Sequence, residues 1–117
     1  MPLIKVQTSL PAPDKAEVES MLLNLSGKLS THLGKSESYV MTAFEPDVAM
    51  TFGGTTEPVC YVEIKSVGTM GGDRTQAMSD DFCSAISESL GVAKNRIYIE
   101  FADAQGSMWG WNGRTFG

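Results

Sequence analysis

Apolar and polar residues change places along this chain with two different periods. Leu3, Ile4 and Val6 alternate with Lys5 and Gln7, which predicts a strand over Leu3 to Thr8. Leu10-Pro11-Ala12-Pro13-Asp14 breaks it, and Pro13-Asp14 suits the opening of a helix. Val18, Met21, Leu22, Leu25, Leu29 and Leu33 then recur at spacings of three and four, the stripe of an amphipathic helix, and Gly34 supplies the stop. A short strand follows over Tyr39 to Phe44, ended by Glu45-Pro46-Asp47. The same order then returns. Val59 to Val67 alternates, with Cys60, Val62 and Ile64 on one face and Tyr61, Glu63 and Lys65 on the other. Gly68, Gly71 and Gly72 interrupt the chain. Ala77, Met78, Phe82, Ala85, Ile86 and Leu90 form a second helical stripe before Gly91, and Asn95 to Phe101 reads as a strand.

The two halves superpose at a constant offset of 57 residues. Met21 falls on Met78, Leu25 on Phe82, Leu29 on Ile86, Leu33 on Leu90, Gly34 on Gly91, Val40 on Ile97 and Phe44 on Phe101. This predicts an internally duplicated β-α-β unit. The fold class is therefore α/β: one domain over residues 1–117, with a four-stranded sheet. Right-handed crossovers place both helices on one face of it. The other face is left with Tyr39, Met41, Ala43, Tyr61 and Tyr98 among Glu63, Lys65 and Glu100. That mixture is too apolar for water and too polar for a dry core, which calls for an oligomer whose sheets face one another.

Composition narrows the function. The net charge of −5 argues against nucleic acid and against an anionic membrane surface as main partners. No apolar run approaches the ~20 residues that span a bilayer, and the start Met1-Pro2-Leu3-Ile4-Lys5 is unlike a secretory signal, so a cytoplasmic location is expected. Cys60 and Cys83 fit no zinc or redox spacing and read as two reduced, buried thiols. His32, the single histidine, argues against a histidine metal site and a serine-type triad, so no metal or cofactor is expected. Gly68-Thr69-Met70-Gly71-Gly72 lacks the signature of a phosphate loop and reads as a turn into the second helix. Pro2 stands out. Removal of Met1 would leave a secondary amine at the end of a strand, and burial or a nearby cation would favour its neutral, basic form.

Several stretches together resemble the macrophage migration inhibitory factor family of the tautomerase superfamily. They are Met1-Pro2, Gly34-Lys35 with Tyr39, and Met50-Thr51-Phe52-Gly53-Gly54-Thr55-Thr56-Glu57-Pro58. Ser66-Val67-Gly68 with Gly71-Gly72, Asn95-Arg96-Ile97-Tyr98-Ile99 and Gly110-Trp111-Asn112-Gly113-Arg114-Thr115-Phe116 complete the set. The resemblance implies a homotrimer whose sheets surround a central channel, with active sites at subunit interfaces. It implies cofactor-free keto-enol tautomerase activity on a small aromatic 2-keto acid or enol, of phenylpyruvate or dopachrome type. It implies Pro2 as the base, Lys35 as the group that holds the substrate carboxylate or polarises its oxygen and helps keep Pro2 neutral, and Ser66 and the Val67 amide at the substrate. Tyr98 would come from a neighbouring subunit, and Leu3, Tyr39, Trp111 and Phe116 would form an apolar wall.

Two positions depart from the family pattern. Glu100 replaces an asparagine, and its carboxylate would raise the Pro2 pKa and disfavour anionic substrates. Trp109 replaces a small aliphatic residue and would either narrow the mouth or stack on an aromatic substrate. The alternative readings are a cytokine-like factor that binds a protein receptor and leaves the cell without a signal peptide, and a metabolite-binding trimer without turnover.

Overall fold

The computed structural model describes residues 1–117. Strand β1 (Leu3–Thr8) leads to helix α1 (Lys15–Leu33) and strand β2 (Met41–Glu45); strand β3 (Cys60–Val67) leads to helix α2 (Gly72–Leu90) and strand β4 (Ile97–Ala104). The helices are 19 residues each and carry the same 57-residue offset as the apolar stripes, from Leu33 to Leu90. The sheet order is β2-β1-β3-β4, with β1–β2 and β3–β4 parallel and β1–β3 antiparallel. Each half is thus a parallel β-α-β unit, and the halves join edge to edge through their first strands.

Burial follows the period. Ile4, Val6, Val62 and Ile64 are fully buried beneath Leu25 and Leu29 of α1 and Met78, Phe82 and Ile86 of α2. Each such side chain contributes about 1.5–3 kcal/mol by leaving water. Asp14 caps α1 by accepting from the Glu17 amide at 2.9 Å. Gly34 and Gly91 end the helices at φ +63° and +75°, a backbone that β-carbon residues resist.

The structure corrects several expectations. Tyr39 is not in a strand: Glu37–Tyr39 forms a 3₁₀ turn capped by Ser36, and β2 begins at Met41. Its repeat, Lys94–Arg96, takes Asn95 and Arg96 out of β4, which runs on to Ala104. Tyr39 therefore leaves the open sheet face, whose rows are Met41–Leu3–Lys65–Ala102, Ala43–Lys5–Glu63–Glu100 and Glu45–Gln7–Tyr61–Tyr98. Ala77 is exposed rather than part of the buried stripe, and Cys83 is only half-buried beside the buried Cys60. A small hairpin, β5 (Gly110–Trp111) and β6 (Arg114–Thr115), closes the chain.

Arg96 ties the long connection between β2 and β3. Its guanidinium donates to the carbonyls of Pro58 (2.8 Å), Phe52 (3.1 Å) and Glu57 (2.9 Å) and lies 5.2 Å above the Phe52 ring. Phe52 in turn meets Tyr98 edge-on at 4.9 Å.

Candidate active site

Register brings the start of the chain to one end of the sheet. Leu3 pairs with both Met41 and Lys65, so Pro2 lies level with Val40 and Ser66, and its carbonyl accepts from the Met41 amide at 3.0 Å. Around it opens a cleft of about 280 Å³. Met1, Pro2, Leu3, Tyr39, Trp109, Trp111 and Phe116 line it. The aromatic wall is self-supporting. Trp111 stacks on Phe116 at 5.8 Å and takes Tyr39 edge-on at 5.4 Å, while the Phe116 amide donates to the carbonyls of Gly106 and Trp109. Gly106 is required there: a Cβ would stand 2.7 Å from the Phe116 carbonyl oxygen.

Lys35 follows the αL cap of α1. The Ser30 carbonyl and hydroxyl hold its backbone: Lys35 N donates to the Ser30 carbonyl at 3.1 Å, and Ser30 Oγ donates to the Lys35 carbonyl at 2.5 Å. Its ammonium donates to Ser66 Oγ at 2.7 Å and to the Val67 carbonyl. Burial first, and then the Arg74 guanidinium, hold its pKa below the ordinary lysine value. The chain's terminal amine, on Met1, is also held below its ordinary value, by burial first and then by the Lys35 charge. A low-polarity, cationic setting at the N-terminus is therefore a property of this end of the sheet.

Pro2, Leu3, Tyr39, Trp109, Trp111 and Phe116 thus meet in one cleft, with Lys35, Ser66 and Val67 bound together beside the N-terminus. Tyr98 and Glu100 do not join them within the chain. They lie on the open sheet face, where Tyr98 is 65% exposed and the Tyr61 hydroxyl donates to Glu100 at 2.8 Å and to Glu63 at 3.3 Å. Burial and then the Glu100 acceptor push the Tyr61 phenol well above its ordinary value. Tyr61 was not among the expected site residues, because nothing in the alternation announces that register sets it beside Glu100. A larger hollow of about 510 Å³ between the helices is polar apart from Leu23, and its lining offers no base next to an apolar wall. No cluster of His, Cys, Asp and Glu is arranged to hold a metal ion.

A duplicated β-α-β sheet with a buried Pro2 beside an aromatic cleft defines the tautomerase-superfamily class of α/β protein. Within that class the chain belongs to the macrophage migration inhibitory factor family, whose model matches residues 1–117. It is 51% identical to the macrophage migration inhibitory factor homologue of Prochlorococcus marinus, covering 98% of this chain and 99% of that one, with a TM-score of 0.94. The protein from Trichinella spiralis is 30% identical, with coverage of 97% and 99% and a TM-score of 0.87. Macrophage migration inhibitory factor of Rattus norvegicus is 34% identical over 117 residues, 99% of each chain.

Proposed function

We propose that this protein is a cofactor-free keto-enol tautomerase that uses Pro2, exposed by removal of Met1, as general base on small aryl 2-keto acids or their enols. The observation that carries the reading is geometric: Pro2, just ahead of β1, lines a largely aromatic cleft, with the Lys35 ammonium held on Ser66 and Val67 at the same end of the sheet. Removal of Met1 would leave the amine on Pro2, whose ring is buried at this end of the sheet, and an apolar setting with a nearby cation favours the neutral form. A neutral secondary amine at pH 7 is matched to proton transfer at carbon.

In the enolising direction the Pro2 nitrogen takes a proton from the carbon next to the carbonyl. The C–H pair becomes the C=C bond, and the carbonyl pair moves onto oxygen, which takes a proton to give the enol. Ketonisation runs the same transfers backwards, with the prolinium returning its proton to carbon. The Lys35 ammonium keeps the amine neutral and stabilises charge that develops on oxygen. Leu3, Tyr39, Trp109, Trp111 and Phe116 receive the ring, with Ser66 and Val67 setting Lys35.

The working form is a homotrimer. The open sheet face, with Met41 and Tyr98 each 65% exposed, then becomes an interface and brings Tyr98 and Glu100 toward a neighbouring cleft. Intact mass and phenylpyruvate turnover on one sample test the reading. Met1-free protein turns over, whereas Pro2→Ala and protein that retains Met1 each lose about 100-fold or more. Equal turnover by all three sinks it.

A further inference from the structure

We propose that Arg96 is a positioning residue for the shared site: it holds Phe52 against the Tyr98 ring and so sets the side chain that each subunit presents to its neighbour's cleft. This rests on the reading that Tyr98 serves a neighbouring cleft. Tyr98 needs such a support. It stands exposed on β4, an edge strand of the sheet. Its strand partner Tyr61 turns its hydroxyl to Glu100 and Glu63. The ring that meets Tyr98 is Phe52, edge-on at 4.9 Å with 64° between the planes. An exposed strand tyrosine has several staggered rotamers open to it, and an edge-to-face neighbour favours one of them.

Phe52 has no long strand to hold it. It lies in the connection between β2 and β3, where Gly53 and Gly54 turn the backbone at φ +60° and +77° and Phe52 pairs with Thr55 in a tight loop. Residues 49–58 make their hydrogen bonds to the rest of the chain through Arg96 alone: Nε donates to the Pro58 carbonyl, Nη2 to that of Glu57 and Nη1 to that of Phe52. The same guanidinium lies 5.2 Å above the Phe52 ring, so it holds both the backbone and the ring of that residue. None of the chain's ion pairs includes Arg96, and its planar fork is given over to carbonyls spaced along one loop. Its own backbone is fixed in the 3₁₀ turn that opens β4, where the Arg96 amide donates to the Ala93 carbonyl at 2.9 Å. Arg96 thus joins the start of the strand that carries Tyr98 to the loop that carries Phe52. A lysine there keeps the charge and loses the fork.

The test is subunit complementation of phenylpyruvate turnover. Arg96→Gln and Arg96→Lys are each co-refolded with Pro2→Ala and with Tyr98→Ala, and mixed trimers are confirmed by sedimentation. Alone, Arg96→Gln loses about tenfold or more in kcat/KM and Arg96→Lys loses less. Mixed with Pro2→Ala, which brings a well-held Tyr98 to the intact Pro2 of the Arg96→Gln chain, activity returns. Mixed with Tyr98→Ala it does not, because neither chain then brings a well-held Tyr98. A merely weakened fold would show no such polarity. Return with Tyr98→Ala, return with neither partner, or full activity of Arg96→Gln alone overturns the proposal. Fluorine NMR of protein labelled with 3-fluorotyrosine at its three tyrosines is the second measurement. The Tyr98 resonance moves or broadens in Arg96→Gln while those of Tyr39 and Tyr61 hold; an unmoved Tyr98 resonance overturns the proposal whatever the turnover. Wild-type trimers without turnover, or Pro2→Ala and Tyr98→Ala chains that fail to complement each other, remove the shared-site reading instead, and the fluorine spectrum still decides whether Arg96 sets Tyr98.

Discussion

Lys35 is the residue whose neighbours are most fully specified, and its removal has a signed consequence. The ammonium lowers the proton affinity of the Met1 amine through like-charge repulsion, added to the larger effect of burial, and the same repulsion would act on a Pro2 amine at this end of the sheet. Lys35→Ala therefore moves the amine back toward its ordinary value. The limb of the rate profile on which the base loses its proton should shift to higher pH, read as kcat/KM against pH. An unshifted limb would mean that the Lys35 charge does not reach the base. Trp109 is the second residue with a distinct expectation. It occupies one wall of a cleft of only about 280 Å³. Trp109→Val should enlarge the cleft, raising kcat/KM for bicyclic aryl keto acids relative to phenylpyruvate by about tenfold, the scale of pocket contacts. A falling ratio would show that the indole stacks on the larger ring instead of limiting its size. The value of Trp109 was visible in the sequence only through the family resemblance, since Trp109 to Phe116 carries neither helical nor strand period.

Between elements, one ion cluster joins the helices on the outer face. Asp81 of α2 accepts from Lys28 Nζ at 2.8 Å and pairs with His32 Nε2 at 2.7 Å, both on α1. The Lys28 contact is the largest influence holding the Asp81 carboxyl below its ordinary value. A depressed carboxyl contributes stability above its unfolded pKa of 3.8 and loses it as pH falls through the lower folded value. With Asp81 about a third exposed, screening limits the effect. Asp81→Asn should cost about 1 kcal/mol in urea unfolding at pH 7 and low salt, with most of the difference gone below the folded pKa of Asp81. A cost that persists unchanged in strong acid would point to packing instead of charge. Helices, caps and the duplication were all legible in the sequence because 3.6-residue stripes and glycine stops are local signals. The 3₁₀ turns at Glu37–Tyr39 and Lys94–Arg96 were not, because three residues cannot show a period and their neighbours Val40 and Ile97 read on smoothly into strands. The Arg96 tie and the Tyr61–Glu100 contact depend on register across 38 and 39 residues, which no single-strand pattern encodes.

For the whole molecule, the open face of the sheet is the feature that one chain leaves unresolved. Tyr98 sits there, apart from its own chain's cleft, so it can serve a Pro2 site only across a subunit boundary. If the trimer is built that way, mixing Pro2→Ala and Tyr98→Ala chains after co-refolding should restore activity that neither variant has alone. Sedimentation should show species of three 12.6 kDa chains throughout. Full activity of Tyr98→Ala on its own, or no recovery in confirmed mixed trimers, would contradict the shared site. The chemistry proposed for every such site centres on one nitrogen. Nitrogen-15 NMR titration of Pro2 in Met1-free protein, set beside the pH dependence of kcat/KM for phenylpyruvate, tests it most directly. The expected result is a nitrogen that titrates below the ordinary α-amino value of about 8, with the rate rising as the proton leaves. A nitrogen that titrates at or above that value, or a rate indifferent to its protonation, would contradict proline-base catalysis.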